Sequence, residues 1–242
     1  MLDTHYTHPK LTLLYDLDSP WSEDRQFYLD LAAKPSQNIL DLGCGTGLLC
    51  NAYAEKGHHV TGVDPSNAML DIGRKKYGDA HINWVQSTAQ SFQSRELFDL
   101  IIMTGHALQV LLSDENILAT FKTIQTHLDE NGIAVFESRN PLIDWKRQWD
   151  YEMIFSLEGE PVKETRKLVS FDQSIMIFDL IYDFPGETLT SNSTLRFASK
   201  KQIETLLRTA GLEIINLYGD WKKNAFDDNT SEEMIFVIRK NS

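Results

Sequence analysis

Leu40-Asp41-Leu42-Gly43-Cys44-Gly45-Thr46-Gly47 joins a short apolar run to three alternating glycines, and Leu48 to Lys56 then read as a helix stopped at Gly57. Glycine permits positive φ and close approach of a ligand to the backbone, while the start of the following helix presents unpaired N–H groups. A strand, a glycine loop and a helix in this order predict a ligand site at the carboxyl end of a first parallel strand. Outward from it, Val60 to Val63 reads as a second strand, Pro65 to Lys76 as a helix, Ile82 to Val85 as a third strand and Phe98 to Met103 as a fourth. Ser113 caps the next helix, with Asp114 and Glu115 in its first turn and Asn131-Gly132 as its stop; Ile133 to Phe136 is the fifth strand.

The rhythm changes near Asp150. Turn signals at Gly159-Glu160-Pro161, Asp172-Gln173-Ser174 and Pro185-Gly186 suit an antiparallel meander. Ser199 and Gln202 then form a capping box, Gly211 ends that helix, and Leu212 to Tyr218 and Met234 to Arg239 close the sheet. The predicted organisation is an N-terminal helical cap segment (1–38), a core (39–150 and 198–242) and an inserted antiparallel cap over the substrate (151–197).

A dinucleotide loop takes G-x-G-x-x-G, but Leu48 occupies the third glycine's position and Gly47 comes one residue early, which weighs against an NAD-dependent oxidoreductase. Asp64, at the end of the second strand, can bind both hydroxyls of a ribose with its two oxygens.

The 242 residues carry 35 acidic and 23 basic side chains, a net charge of −12, which disfavours a polyanion-binding face and so a nucleic-acid partner. No apolar run suggests a signal peptide or a membrane span, so a cytoplasmic protein is expected. Cys44 and Cys50 match neither a zinc nor a disulfide pattern and read as thiols; His58, His59, His81 and His127 read as turn or helix-surface residues, and no metal site is expected. Oligomeric state is left open.

Asp41 to Gly47, with Gly62-Val63-Asp64-Pro65-Ser66 and Met69-Leu70, resembles motifs I and II of the class I S-adenosylmethionine (SAM)-dependent methyltransferases, small-molecule type. Gly105-His106-Ala107-Leu108-Gln109 and Leu128 to Phe136 extend the likeness, which covers Ile39 to Pro141. It implies an α/β, Rossmann-like doubly wound, mostly parallel seven-stranded sheet, with the antiparallel insertion after the fifth strand. It also implies SAM as cofactor. Gly43, Cys44 and Gly45 would face the methionine moiety with Asp41 near its amino group, Asp64 would hold the ribose, and Pro65, Ser66 and Met69 would flank the adenine. Thr88, Ala89 and Gln90 would approach the adenine amino group, where relatives often place an acid, and Thr104 would follow the fourth strand at the same mouth.

Methyl transfer from a sulfonium demands alignment more than acid–base chemistry. His106, after the fourth strand, is the candidate base. Arg139, past the fifth strand, is a candidate anion contact or a structural ion-pair partner. Tyr15, Trp21 and Tyr28 are candidates for an aromatic lid, with Trp145, Trp149, Tyr182, Arg196 and Trp221 on the substrate side. The reading is methylation of a small-molecule acceptor; a SAM-binding sensor without turnover is the alternative from another class.

Overall fold

The computed structural model describes residues 2–78 and 81–241. Residues 1 and 242, the outer ends of two predicted segments, lie outside them. Three short helices, α1 (Pro9–Thr12), α2 (Tyr15–Asp18) and α3 (Glu23–Leu29), precede β1 (Asn38–Leu42). The core continues through α4 (Leu48–Glu55), β2 (His59–Asp64), α5 (Asn67–Tyr77), β3 (Ile82–Gln86), β4 (Phe98–Met103), α6 (Asp114–His127) and β5 (Leu128–Arg139). Then come β6 (Tyr151–Leu157), β7 (Glu160–Asp172), β8 (Ile175–Phe184) and β9 (Glu187–Arg196), followed by α7 (Lys200–Thr209), β10 (Leu212–Tyr218) and β11 (Glu233–Lys240).

The main sheet has seven strands in the order β10-β11-β5-β4-β1-β2-β3. β1 to β5 pair in parallel, whereas β11 runs antiparallel to β5 and β10 antiparallel to β11. Alternation along each strand explains the two cores: Leu40, Leu42, Ile101 and Met103 pack with Phe121 of α6 and Leu207 of α7, while Ile39, Leu100 and Ile102 pack with Phe27 of α3 and Leu49 and Tyr53 of α4. β6 to β9 form a second, four-stranded antiparallel sheet.

Local chemistry sets most boundaries. Ser66, Ser113 and Ser199 accept from the N–H groups of Met69, Asn116 and Gln202, and the Ser199–Gln202 capping box is complete. Two expectations shift. α6 ends at His127, and Asn131 and Gly132 lie inside β5 rather than stopping the helix. A Cβ on Gly132 would come within 2.8 Å of the Phe98 carbonyl, so that glycine serves close passage beside β4. The first meander turn is Glu158-Gly159, both at positive φ, so Glu160 and Pro161 already belong to β7.

The N-terminal segment does not behave as one cap. α3 joins the core beside α4, whereas Leu11 and Leu14 share a third apolar cluster with Trp145, Trp149, Phe155, Met176 and Phe178 of the insertion side. Among the described residues no helix is long and apolar enough to cross a membrane.

Candidate active site

Three cavities meet at the carboxyl ends of β1 to β5, and Tyr15 and Gly105 line all three. A larger groove of about 800 Å³ lies at the opposite end, against Asn38, His59 and Ile82 at the strands' amino ends.

The first cavity, of about 210 Å³, is lined by Gly43, Gly45, Asp64, Pro65, Met69, Thr88, Ala89, Gln90 and Thr104 from the expected set, together with Tyr6, Tyr15, Met103, Val110 and Leu111. Asp64 organises it. Its Oδ2 accepts from the Gly45 N–H at 3.0 Å and its Oδ1 from the Ser66 N–H at 2.8 Å. Burial raises the Asp64 carboxyl above its ordinary value, and those two N–H groups pull it back. Gly45 stands at φ +56 with a built Cβ 3.2 Å from the Tyr15 ring, so any side chain there would fill the mouth. Ser66 does not line the cavity; its hydroxyl caps α5 and bonds the Tyr6 carbonyl.

Asp41 and Cys44 border a second, smaller space of about 30 Å³ with Arg25, Thr46 and Gly43. Asp41 Oδ1 has no hydrogen-bond partner among the described residues, and Oδ2 faces the Cys50 thiol at 3.4 Å. Burial pushes the Asp41 carboxyl up to about 7.

The third cavity, of about 160 Å³, lies between the core, the N-terminal segment and β7 to β9. Tyr15, His106, Arg139 and Tyr182 reach it, as do Tyr6, Asp18, Tyr151, Glu164 and Arg166, which sequence reasoning missed. Gly105 and His106 both adopt positive φ, +66° and +58°, which places the histidine at a sharp corner. Glu137 Oε1 accepts the His106 N–H at 2.7 Å, and the His106 Nε2 meets both oxygens of Glu233 at 2.9 and 3.0 Å. The β5–β11 pairing supplies Glu233, which stands opposite Arg139.

Glu164 is fully buried, takes the Tyr151 hydroxyl on Oε1, and leaves Oε2 without a partner among the described residues. Tyr151 also donates to Asp18 at 3.3 Å. Burial raises both carboxyls, that of Glu164 to about 7.

Several expected substrate residues lie elsewhere. Trp21 is 42% exposed on the α2–α3 connection and lines none of these cavities. Tyr28 is buried and donates to Glu137, so it braces the His106 corner from behind instead of forming a lid. Trp221 packs edge-on to Phe27 beside Tyr28. Arg196 turns to Asp114 at the start of α6. Parity explains this: Ser193 and Leu195 of β9 face the cavity, so residue 196 faces away. His127 is buried, not on a surface, with Nδ1 at 2.8 Å from the Thr123 carbonyl and Nε2 taking the Ser94 N–H. His58 is buried as well and accepts the Gln37 N–H. Arg139 forms no ion pair among the described residues; its guanidinium donates to Gln109 Oε1 at 3.0 Å.

The residues around the first two cavities fit SAM by donor chemistry. A two-oxygen acceptor faces one end, an unpartnered buried carboxylate oxygen the other, and a glycine cradle lies between them.

Comparison with known proteins finds methyltransferases. Residues 39–132 match the family model described as "Methyltransferase domain". The cypemycin N-terminal methyltransferase of a Streptomyces species is 27% identical over 207 residues, covering 84% of this chain and 83% of that protein. The ubiquinone biosynthesis O-methyltransferase of Rickettsia canadensis (strain McKiel) is 34% identical over 149 residues, 60% of each. Among solved structures, a SAM-dependent methyltransferase from Clostridium acetobutylicum ATCC 824 superposes with a TM-score of 0.82 at 16% identity, over 96% of this chain and 98% of that one.

Proposed function

We propose, from the methyltransferase-domain match over residues 39–132 and the shared fold, that the chain is a class I SAM-dependent methyltransferase and that it methylates an amino group of a small molecule enclosed in the third cavity, in the cytoplasm. SAM supplies an electrophilic methyl group on a positively charged sulfur. The cavities meet at Tyr15 and Gly105, so an acceptor nitrogen seated beside these residues lies in line with the cofactor mouth.

The observation that carries the amine is the free Oε2 of buried Glu164, with Asp18 close by on the shared Tyr151 hydroxyl. Methyl transfer to a neutral amine moves positive charge onto its nitrogen, and two fixed carboxylates stabilise that charge where it develops. His106, oriented by Glu233, takes the amine proton. The Streptomyces relative is named an N-terminal methyltransferase, which supports the same acceptor chemistry; the Rickettsia relative is named an O-methyltransferase.

The experiment supplies methyl-labelled SAM with amino sugars, amino acids, short peptides and hydroxyl or thiol analogues of each. Label on nitrogen alone is the expected result. Label on oxygen or sulfur overturns the amine assignment, and SAM binding without transfer to any class favours a sensor.

A further inference from the structure

Arg139 and Arg166 both line the third cavity, and neither forms an ion pair among the described residues. Both guanidiniums lie close to the Trp149 ring. The Arg139 guanidinium carbon lies 5.2 Å from the centroid of Trp149, and that of Arg166 lies 4.4 Å from it and 4.1 Å from Tyr151. Each spends a single side-chain N–H on a neutral partner: Arg139 on Gln109 Oε1, Arg166 on the Trp149 carbonyl at 2.8 Å. The remaining donors of two forks are available, and paired forks suit a planar carboxylate or a phosphate.

Among the described residues no carboxylate bonds either guanidinium, although Glu233 and Glu137 lie near Arg139 and Asp18, Glu164 and Asp150 near Arg166. Glu233 holds the His106 ring, Glu137 takes the Tyr28 hydroxyl and the His106 N–H, and Asp18 and Glu164 share the Tyr151 hydroxyl. Two guanidiniums partly withdrawn from water without a bonded counter-charge are costly to keep. Burial accordingly lowers both, Arg139 to about 10.

We propose that Arg139 and Arg166 form an anion subsite, so that the acceptor carries a carboxylate or phosphate in addition to its amino group. This rests on the third cavity being the acceptor pocket. The anion lies against the Trp149 side, and the amine lies toward Asp18 and Glu164.

The test titrates benzoate, phenyl phosphate, benzamide and benzylamine by calorimetry into the protein saturated with S-adenosylhomocysteine. At least one of the two anions is expected to bind ten-fold or more tightly than benzamide. The better of benzoate and phenyl phosphate identifies the group. Arg139→Gln is expected to lose at least ten-fold of that affinity while S-adenosylhomocysteine binds within two-fold of wild type. Benzamide or benzylamine matching both anions overturns the subsite on wild-type protein alone, whatever the variant's folding. Anion affinity unchanged in a folded Arg139→Gln protein overturns it as well. Anion binding by a protein that methylates no amine leaves the subsite standing and removes the amine reading instead.

Discussion

Asp64→Ala tests a loop-bracing role and a proposed cofactor-binding role of one carboxylate. In the folded protein its oxygens satisfy the Gly45 N–H at 3.0 Å and the Ser66 N–H at 2.8 Å, and residue 64 is 8% exposed. Truncation orphans both largely buried donors, at about 1–3 kcal/mol each. Removing a carboxylate whose burial is itself unfavourable returns part of that cost, leaving about 2–4 kcal/mol of lost stability. For a domain of this length that lowers the melting temperature by roughly 5–15 °C. With Asp64 as the proposed ribose ligand, SAM should lose two charge-assisted bonds, about 2–4 kcal/mol, or roughly 30- to 1,000-fold in Kd. Melting without ligand and calorimetry with SAM, run below the variant's transition, separate the roles. A melting loss with unchanged Kd would make Asp64 a loop brace only. Unchanged melting and Kd together would refute the whole reading of this residue.

Asp41 titrates with the opposite sign from an ion-paired carboxylate. Its folded value is raised from 3.8 to about 7, so the stability it contributes is present below about pH 4 and is lost as pH rises through 7. Asp41→Asn should therefore gain on the order of 2–3 kcal/mol more over wild type at pH 8 than at pH 5; parallel stability curves in that range would rule this out. At Gly47, φ is +79° and a Cβ would lie 2.1 Å from the Trp84 ring, so Gly47→Ala should destabilise by about 3 kcal/mol or more in denaturant unfolding. Adding Trp84→Leu should restore part of that loss, and no recovery would assign the whole cost to the backbone. His106→Gln should lower turnover by about 10²-fold or more, with SAM affinity nearly constant. Normal turnover with weakened SAM binding would assign His106 to cofactor packing.

The glycine loop, the parallel strands and the helix caps were legible because each rests on neighbours in the chain. Gly43 to Gly47 carry their own conformational demand, and Ser113 and Ser199 cap residues three positions on. Much of the first cavity's lining was legible for the same reason, since Gly43, Gly45, Asp64, Pro65, Thr88 and Thr104 lie at or just past the ends of β1 to β4, whereas Tyr6 and Tyr15 arrive from the N-terminal segment. The third cavity was not. Asp18, Tyr151, Glu164 and Arg166 come from segments up to about 150 residues apart, and no local period announces their meeting with His106. Strand parity decides the rest: Glu164, Arg166, Leu180 and Tyr182 share one face through the β7–β8 register, but a position count alone leaves Arg196 equally plausible on either side. Trp84 is a further case. Its ring fills the space left by Gly47, Gly62 and Gly73, three glycines from three different elements.

The insertion is more than a removable lid, because the N-terminal segment is fastened to it. The Ser193 hydroxyl donates to Asp3 at 2.7 Å, the His5 N–H donates to Ser191 at 3.1 Å, Lys10 pairs with Glu187, and Tyr151 reaches Asp18. Leu11 and Leu14, 2% and 1% exposed, bury their side chains in the insertion's own core. Excising residues 151–197 re-exposes both leucines, about 1.5–3 kcal/mol each, and removes those polar ties at the same time. The segment that carries Tyr6 and Tyr15 then has little to hold it. Both rings line the cofactor cavity, so the cavity loses a wall although none of its loops has been touched. With the segment fastened this way, excision should weaken SAM at least ten-fold, a change of about 1.4 kcal/mol, as well as abolish methyl transfer. Leu14→Asp keeps the insertion but drives the same segment away from it, and should produce the same loss in an otherwise folded protein. Wild-type SAM affinity in Leu14→Asp, read by calorimetry, would show that the N-terminal segment closes the acceptor cavity alone.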